Sequence, residues 1–116
     1  MSKPVQITVT APSLDIAESL ARGLVEARLA ACAQASGPLT SVYRWEGAVA
    51  TDPEWRLDIK TSSALIDRVT AHVTAHHPYD VPEVIATEIV GGSSDYLEWI
   101  FASVGEVRTS GPHTGS

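Results

Sequence analysis

Three histidines stand close together in one short stretch: His72, His76 and His77. Neutral imidazole is a good ligand for copper and zinc. A helix through this stretch puts His72 and His76 on one face, four residues apart. Two imidazoles then hold an ion if a third donor arrives from elsewhere. His76 and His77 are the adjacent pair, and Pro78 fixes the backbone just after them, so they are the first metal candidates. Cys32, the chain's one thiol, is the third. Each has a plainer alternative. A cationic imidazole at a helix C-terminus interacts favourably with the exposed carbonyls there. A lone cysteine between Ala31 and Ala33 is more commonly a small, inert core residue.

A second group is Trp45, Glu46, Lys60, Tyr79 and Glu83. Aromatic walls with one lysine and carboxylates can line an inter-subunit cleft for a small polar ligand. Equally, Trp45 and Tyr79 can be interface anchors, where aromatics are enriched. Lys60 can pair with Glu46 or Glu83 with no ligand at all. No P-loop, GxSxG, HExxH or CxxC stands in the chain, so the reading is of a protein that is not an enzyme and needs no organic cofactor. Residues 91–93, Gly-Gly-Ser, are ordinary turn and cap chemistry.

The elements that must position these groups are legible as periodicities. Val5, Ile7 and Val9 alternate with polar residues, which predicts a strand over residues 5–10. Ser13 can cap a helix whose Ala17, Leu20, Ala21, Leu24 and Ala27 recur at helical spacing to about Arg28. Residues 31–45 gain β character in their second half, with a bulge or bend at Gly37-Pro38. Thr51-Asp52-Pro53 reads as a turn, so residues 42–49 and 55–61 form one long hairpin. Trp55, Leu57, Ile59 and Thr61 share one face of its second arm. Ser62 or Ser63 opens a second helix with Leu65, Ile66, Val69 and Val73 inward, ending at His76-His77 because Pro78 disfavours helical geometry before it. Residues 83–90 read as a fourth strand. Asp95-x-x-Glu98 resembles a capping box for a third helix. The order β-α-β-β-α-β plus a helix predicts an α+β, ferredoxin-like antiparallel sheet. It occupies residues 1–104, and residues 105–116, rich in Gly, Ser and Thr, are expected to form a mobile tail.

Composition narrows the partners. The chain has 116 residues, a net charge of −6 and only 8 Lys and Arg, with no basic stripe. That excludes the clustered cations that nucleic acid requires and the polybasic docking of anionic membranes. No run approaches the ~20 apolar residues of a membrane span. A single cysteine allows no intrachain disulfide, which points to the reducing cytoplasm. A domain this small gains from oligomerisation.

Five segments together resemble the CutA family: LVEARLAAC at 24–32, TSVYRWEG at 40–47, IKT at 59–61, HPYDVPE at 77–83 and YLEWI at 96–100. Each is short; their order and spacing carry the resemblance, from about Val5 to Val104. It implies a homotrimer of ferredoxin-like subunits with long hairpins packed between them, akin in architecture to PII-type signalling trimers. It also implies a role in divalent-metal tolerance, with copper or another divalent cation bound. The alternative is a PII-like signalling or scaffold trimer that binds a small molecule or protein partner at subunit interfaces. Copper-linked members can carry a cysteine just before Thr-Ala-Pro at the end of the first strand. Here Val9 stands there, and the soft thiolate that favours Cu(I) is missing. Cys32 matches the family's recurrent cysteine at the start of the second strand.

Removing the residues after Gly105 is expected to leave fold and assembly unchanged. A large drop in melting temperature on truncation would show that the tail docks.

Overall fold

A computed structural model describes residues 2–106. The elements are β1 (Pro4–Ala11), α1 (Leu14–Glu26), β2 (Cys32–Trp45), β3 (Ala48–Ser62), a short 3₁₀ turn (Ser63–Leu65), α2 (Ile66–His76), β4 (Val84–Glu88) and α3 (Ser94–Ser103). The four strands form one antiparallel sheet in the order β2-β3-β1-β4. This is the α+β, ferredoxin-like arrangement expected from the periodicities.

Alternation in β1 sets the two faces of the sheet. Val5, Ile7, Val9 and Ala11 are buried. The register places them opposite Thr61, Ile59, Leu57 and Trp55 of β3. Leu20 and Leu24 of α1 and Val69 and Val73 of α2 complete the same core, so both helices cover one face. Burying a side chain of this size contributes about 1.5–3 kcal/mol. On the other face Gln6 and Thr8 donate to the Asp58 carboxylate, 3.4 Å in each case, and Arg56 pairs with it at 2.9 Å.

Helix ends are closed by local chemistry. The Ser13 hydroxyl accepts from the Ile16 N–H. At the other end of α1, Arg28 takes a positive φ of 58° while the Arg28 and Leu29 N–H groups bond the Val25 and Leu24 carbonyls. This is a Schellman closure with arginine where glycine is usual. It turns the chain into buried Leu29, Ala30 and Ala31, and the Thr61 hydroxyl donates to the Leu29 carbonyl at 2.7 Å. Ser62 caps the 3₁₀ turn that leads into α2. The cap of α3 is Ser93, whose hydroxyl accepts from the Tyr96 N–H, and not Asp95 as the box motif predicted. The helix closes through Gly105 and Glu106, whose N–H groups bond the Ala102 and Phe101 carbonyls. Ser62 Oγ donates to the Glu106 carboxylate, so these first two residues of the expected tail are hydrogen-bonded to the fold. The rest of that segment lies outside the described residues.

The hairpin differs from the expectation. Thr51, Asp52 and Pro53 are not its turn; they lie within β3 opposite Val42, Ser41 and Thr40. The turn is Glu46-Gly47, with φ of 48° and 80°. Two central residues at positive φ match the twist of the flanking strands, and glycine takes that conformation without a Cβ penalty. Pro53 is tolerated because β1 ends its pairing at Ala11↔Trp55. Beyond that point β3 has a neighbour on one side only, so a missing N–H costs no second ladder. The register shift falls between Ser36 and Leu39, at the expected bulge. The outer hairpin therefore runs past the domain as an arm, and the molecule measures 55 × 25 × 22 Å. The fourth strand is shorter than the expected residues 83–90, covering Val84–Glu88.

Thr61→Val keeps the buried shape but leaves the Leu29 carbonyl without its donor. It is expected to lower unfolding free energy by about 1–3 kcal/mol, read by chemical denaturation. A loss below a few tenths would show that the bond does not hold the α1–β2 corner.

Candidate functional site

The C-terminal end of α2 is where the imidazoles gather, and the structure separates them. Proline at 78 forces His77 out of the helix, with φ −92° and ψ 142°. His77 then folds inward and is buried. Its Nε2 lies 2.8 Å from the Thr10 carbonyl, so that nitrogen carries the proton and donates. Its Nδ1 accepts from the Tyr79 N–H at 3.1 Å. Both ring nitrogens are thus committed to holding the loop. Tyr79 continues the strap, donating from its hydroxyl to Glu54 Oε2 at 3.1 Å. Burial first, then the bond to Glu54 and its charge, push this phenol up to about 12.

His76 points elsewhere. It is exposed, stacks on His72 with ring centroids 4.3 Å apart, and donates from Nδ1 to the His72 carbonyl at 2.8 Å. Its Nε2 lone pair remains available. His72 faces α1 across a groove of about 260 Å³ lined by Ser19, Arg22, Gly23, Glu26 and the two imidazoles. Burial, and then the charge of His76, hold the His72 imidazole below its ordinary value.

Cys32 joins neither ring. It opens β2, half-buried, with Sγ 3.5 Å from the Tyr96 hydroxyl. That contact, ahead of burial, raises the Tyr96 phenol above its ordinary value. Among the described residues no three of His, Cys, Asp and Glu stand at ligating distance of one point. The expected set of His76, His77 and Cys32 is therefore not brought together within one chain.

The second group is also spread out. Trp45 and Glu46 sit at the hairpin tip, whereas Lys60 pairs in register with Cys32 near its base and donates to Gln34. Twelve residues of β3 between Ala48 and Lys60 span roughly 40 Å. Tyr79 bonds the base of the arm at Glu54, and Glu83 precedes β4. One chain alone does not close a cleft from these five. Two side-chain contacts escaped the sequence reading. These are the Tyr43 hydroxyl to the Asp52 carboxylate across the arm, and the Tyr79–Glu54 strap. The first is visible only once the turn is placed at Glu46-Gly47, since that register sets Tyr43 beside Asp52.

This fold and these motifs are shared. The profile described as CutA1 divalent ion tolerance protein matches residues 5–103. The chain belongs to the CutA1 divalent ion tolerance family. It is 41% identical over 99 residues to the divalent-cation tolerance protein CutA of Thermus thermophilus, covering 85% of this chain and 96% of that one. It is 47% identical over 96 residues to the chloroplastic CutA protein of Arabidopsis thaliana, covering 83% of this chain. The chain spans about half the length of the plant relatives it matches, 53% of that one and 58% of the chloroplastic CutA 1 of rice. Among solved structures, CutA1 from Oryza sativa superposes with a TM-score of 0.85 at 45% identity, covering 92% of this chain and 95% of that one. CutA from Xylella fastidiosa gives 0.86 at 37%, covering 88% and 98%. The names of these CutA relatives carry no enzymatic activity. No helix among the described residues is long and apolar enough to cross a membrane.

The lowered His72 imidazole has a signed consequence. Native His72 binds its proton less readily than in the unfolded chain, so its contribution to stability is intact above the ordinary value of 6.5 and falls as pH drops below it. In metal-free protein, NMR titration of the His72 ring is expected to show a midpoint below 6.5. His76→Gln moves it upward by removing a neighbouring positive charge. A midpoint unmoved by that substitution would sink the pairwise coupling.

Proposed function

We propose that the chain works as a homotrimer that binds a divalent cation, copper or another, and serves tolerance to such ions without enzymatic chemistry. The observation that carries the assembly is the arm. Val42, Trp45 and Val49 are 66%, 63% and 68% exposed on it, with no second layer of the described residues over them. An apolar arm of this length on a small domain is stabilised by burial against copies of itself. The number three follows from the resemblance in motifs and fold. In such an assembly Trp45 and Glu46 of one copy can approach Lys60, Tyr79 and Glu83 of another, which is the candidate inter-subunit cleft. The cation reading is supported by the Thermus relative's printed name and by the exposed imidazole of His76. Of the donors read from the sequence, His76 keeps a free lone pair. His77 and Cys32 can join it only by giving up the contacts they make now. A reducing compartment, the cytoplasm, suits the one free thiol.

Sedimentation is expected to give three times the chain mass, and Trp45→Glu with Val49→Lys to give monomers that remain folded by circular dichroism. A monomeric parent at micromolar concentration overturns the assembly. Calorimetric titration of the parent with Zn(II) and Cu(II) is expected to show saturable binding. Without it the signalling or scaffold reading takes over.

A further inference from the structure

We propose that the arm docks head to tail on a second copy of the chain, with Arg44 of one copy seated on the Asp52 and Glu54 carboxylates of the next. The inference rests on the assembly reading above and names the charges that direct it. The arm is a two-stranded ribbon, so its side chains alternate between two faces. The register sets Arg44 directly opposite Val49, with Val42 two residues before it on the same face. Thr40, Thr51 and Pro53 complete that face, and Arg44 is its one charge. Arg44 is exposed, and among the described residues no carboxylate pairs with it.

The other face is the complement. Asp52 stands opposite Ser41 and Glu54 opposite Leu39, two residues apart and so on one side of β3. Each carboxylate accepts from a phenol, Asp52 from Tyr43 and Glu54 from Tyr79. The bond to Asp52, and after it the more distant Glu54 charge, hold the Tyr43 phenol above its ordinary value. Tyr79, raised first by burial, also feels the Asp52 charge. Two acids and two phenols thus form one negative patch. Among the described residues no lysine or arginine pairs with Asp52 or Glu54.

Covering Val42 and Val49 brings the Arg44 head to the contact, and a charge taken out of water must be paired. The patch of its own copy lies on the opposite face of the ribbon. The patch of a neighbour meets the need, since one planar guanidinium carries five N–H donors that match carboxylates. The phenol rings beside the acids add aromatic surface for the cation. The placement agrees with the candidate cleft, because Arg44 precedes Trp45 on one copy and Tyr79 holds Glu54 on the other. Unlike faces in contact make a heterologous interface, which closes into a ring where the rotation allows. A two-fold contact through either face would set like charges together.

The test is subunit exchange. Isotope-labelled and unlabelled full-length copies are mixed, and mixed assemblies are counted over time by native mass spectrometry. Warming brings the parent's exchange to a measurable rate. The parent is compared with Arg44→Gln, with Asp52→Asn and Glu54→Gln together, with all three, and with Arg22→Gln, which removes an arginine from α1. The amides keep an acceptor for each phenol, and circular dichroism checks each fold. Truncating one side of a buried charge pair acts mainly on dissociation. R44Q and the amide pair are each expected to speed exchange about tenfold, and the triple variant to go no faster than the quicker of them. R22Q is expected to exchange like the parent. If R44Q keeps the parental rate, or if the triple variant shows the product of the two effects, the pairing is overturned while the assembly stands. An R22Q effect as large as that of R44Q assigns the change to net charge and overturns the pairing too. A parent that sediments as a monomer overturns the assembly reading itself, and a dimer overturns the head-to-tail docking.

Discussion

The pairing of β1 with β3 is the constraint on which the rest depends. Its register, Pro4↔Ser62 to Ala11↔Trp55, aligns two alternating sequences so that their apolar residues share one face. A slip of one residue would turn Val5, Ile7 and Val9 to the polar side and strand Gln6 and Thr8 in the core. The same ladder brings Thr10 to its C-terminal end, where the His77 ring bonds its carbonyl. It also fixes Thr61 beside the Leu29 carbonyl and so sets the corner from which β2 departs. Both the loop after α2 and the arm are therefore referred to one strand pair.

The ladder also explains why there is an arm. β1 has 8 residues and β3 has 15, so about half of β3 must run on without β1 beside it. That half is paired with β2 alone, and an isolated two-stranded ribbon is marginal in water. Cross-strand bonds such as Tyr43 to Asp52, and the brace from Tyr79 to Glu54, hold it from within the chain. They do not cover Val42, Trp45 or Val49.

The core was legible in the sequence because burial follows period. Period two in β1 and in residues 55–61, and helical spacing in α1 and α2, name most of the core between the sheet and these two helices, though not Leu29 and Ala30 at the α1–β2 corner or the buried side chains of α3. The hairpin turn was not, for a physical reason. Thr51-Asp52-Pro53 has the composition of a turn, but whether proline breaks a strand depends on whether that strand needs a donor on both sides. Only the end of the β1 pairing decides this. The true turn at Glu46-Gly47 places a glutamate at φ 48°, where asparagine or aspartate would have announced it. The capping of α3 went astray by a similar competition, since Ser93 and Asp95 are both good caps and backbone geometry chose the earlier one.

The imidazoles show where reading spacing along a chain stops short of reading a site. His76 and His77 are neighbours in sequence, which suggested a shared ion. Adjacent helical side chains diverge by about 100° around the axis, and Pro78 adds a change from helical to extended backbone at the junction. The lone pairs of neighbours are thereby sent apart, one ring outward over α2 and one inward to Thr10. Residues four apart have the opposite fate, because the helix returns them to one face. What the spacing lacked was the opposing wall. Gly23 and Glu26 lie about fifty residues earlier, on a helix that only the sheet brings alongside. A glycine inside a helix costs about 1 kcal/mol relative to alanine. At Gly23 it leaves room for the His72 ring, since a Cβ there would stand 3.1 Å from its Nε2.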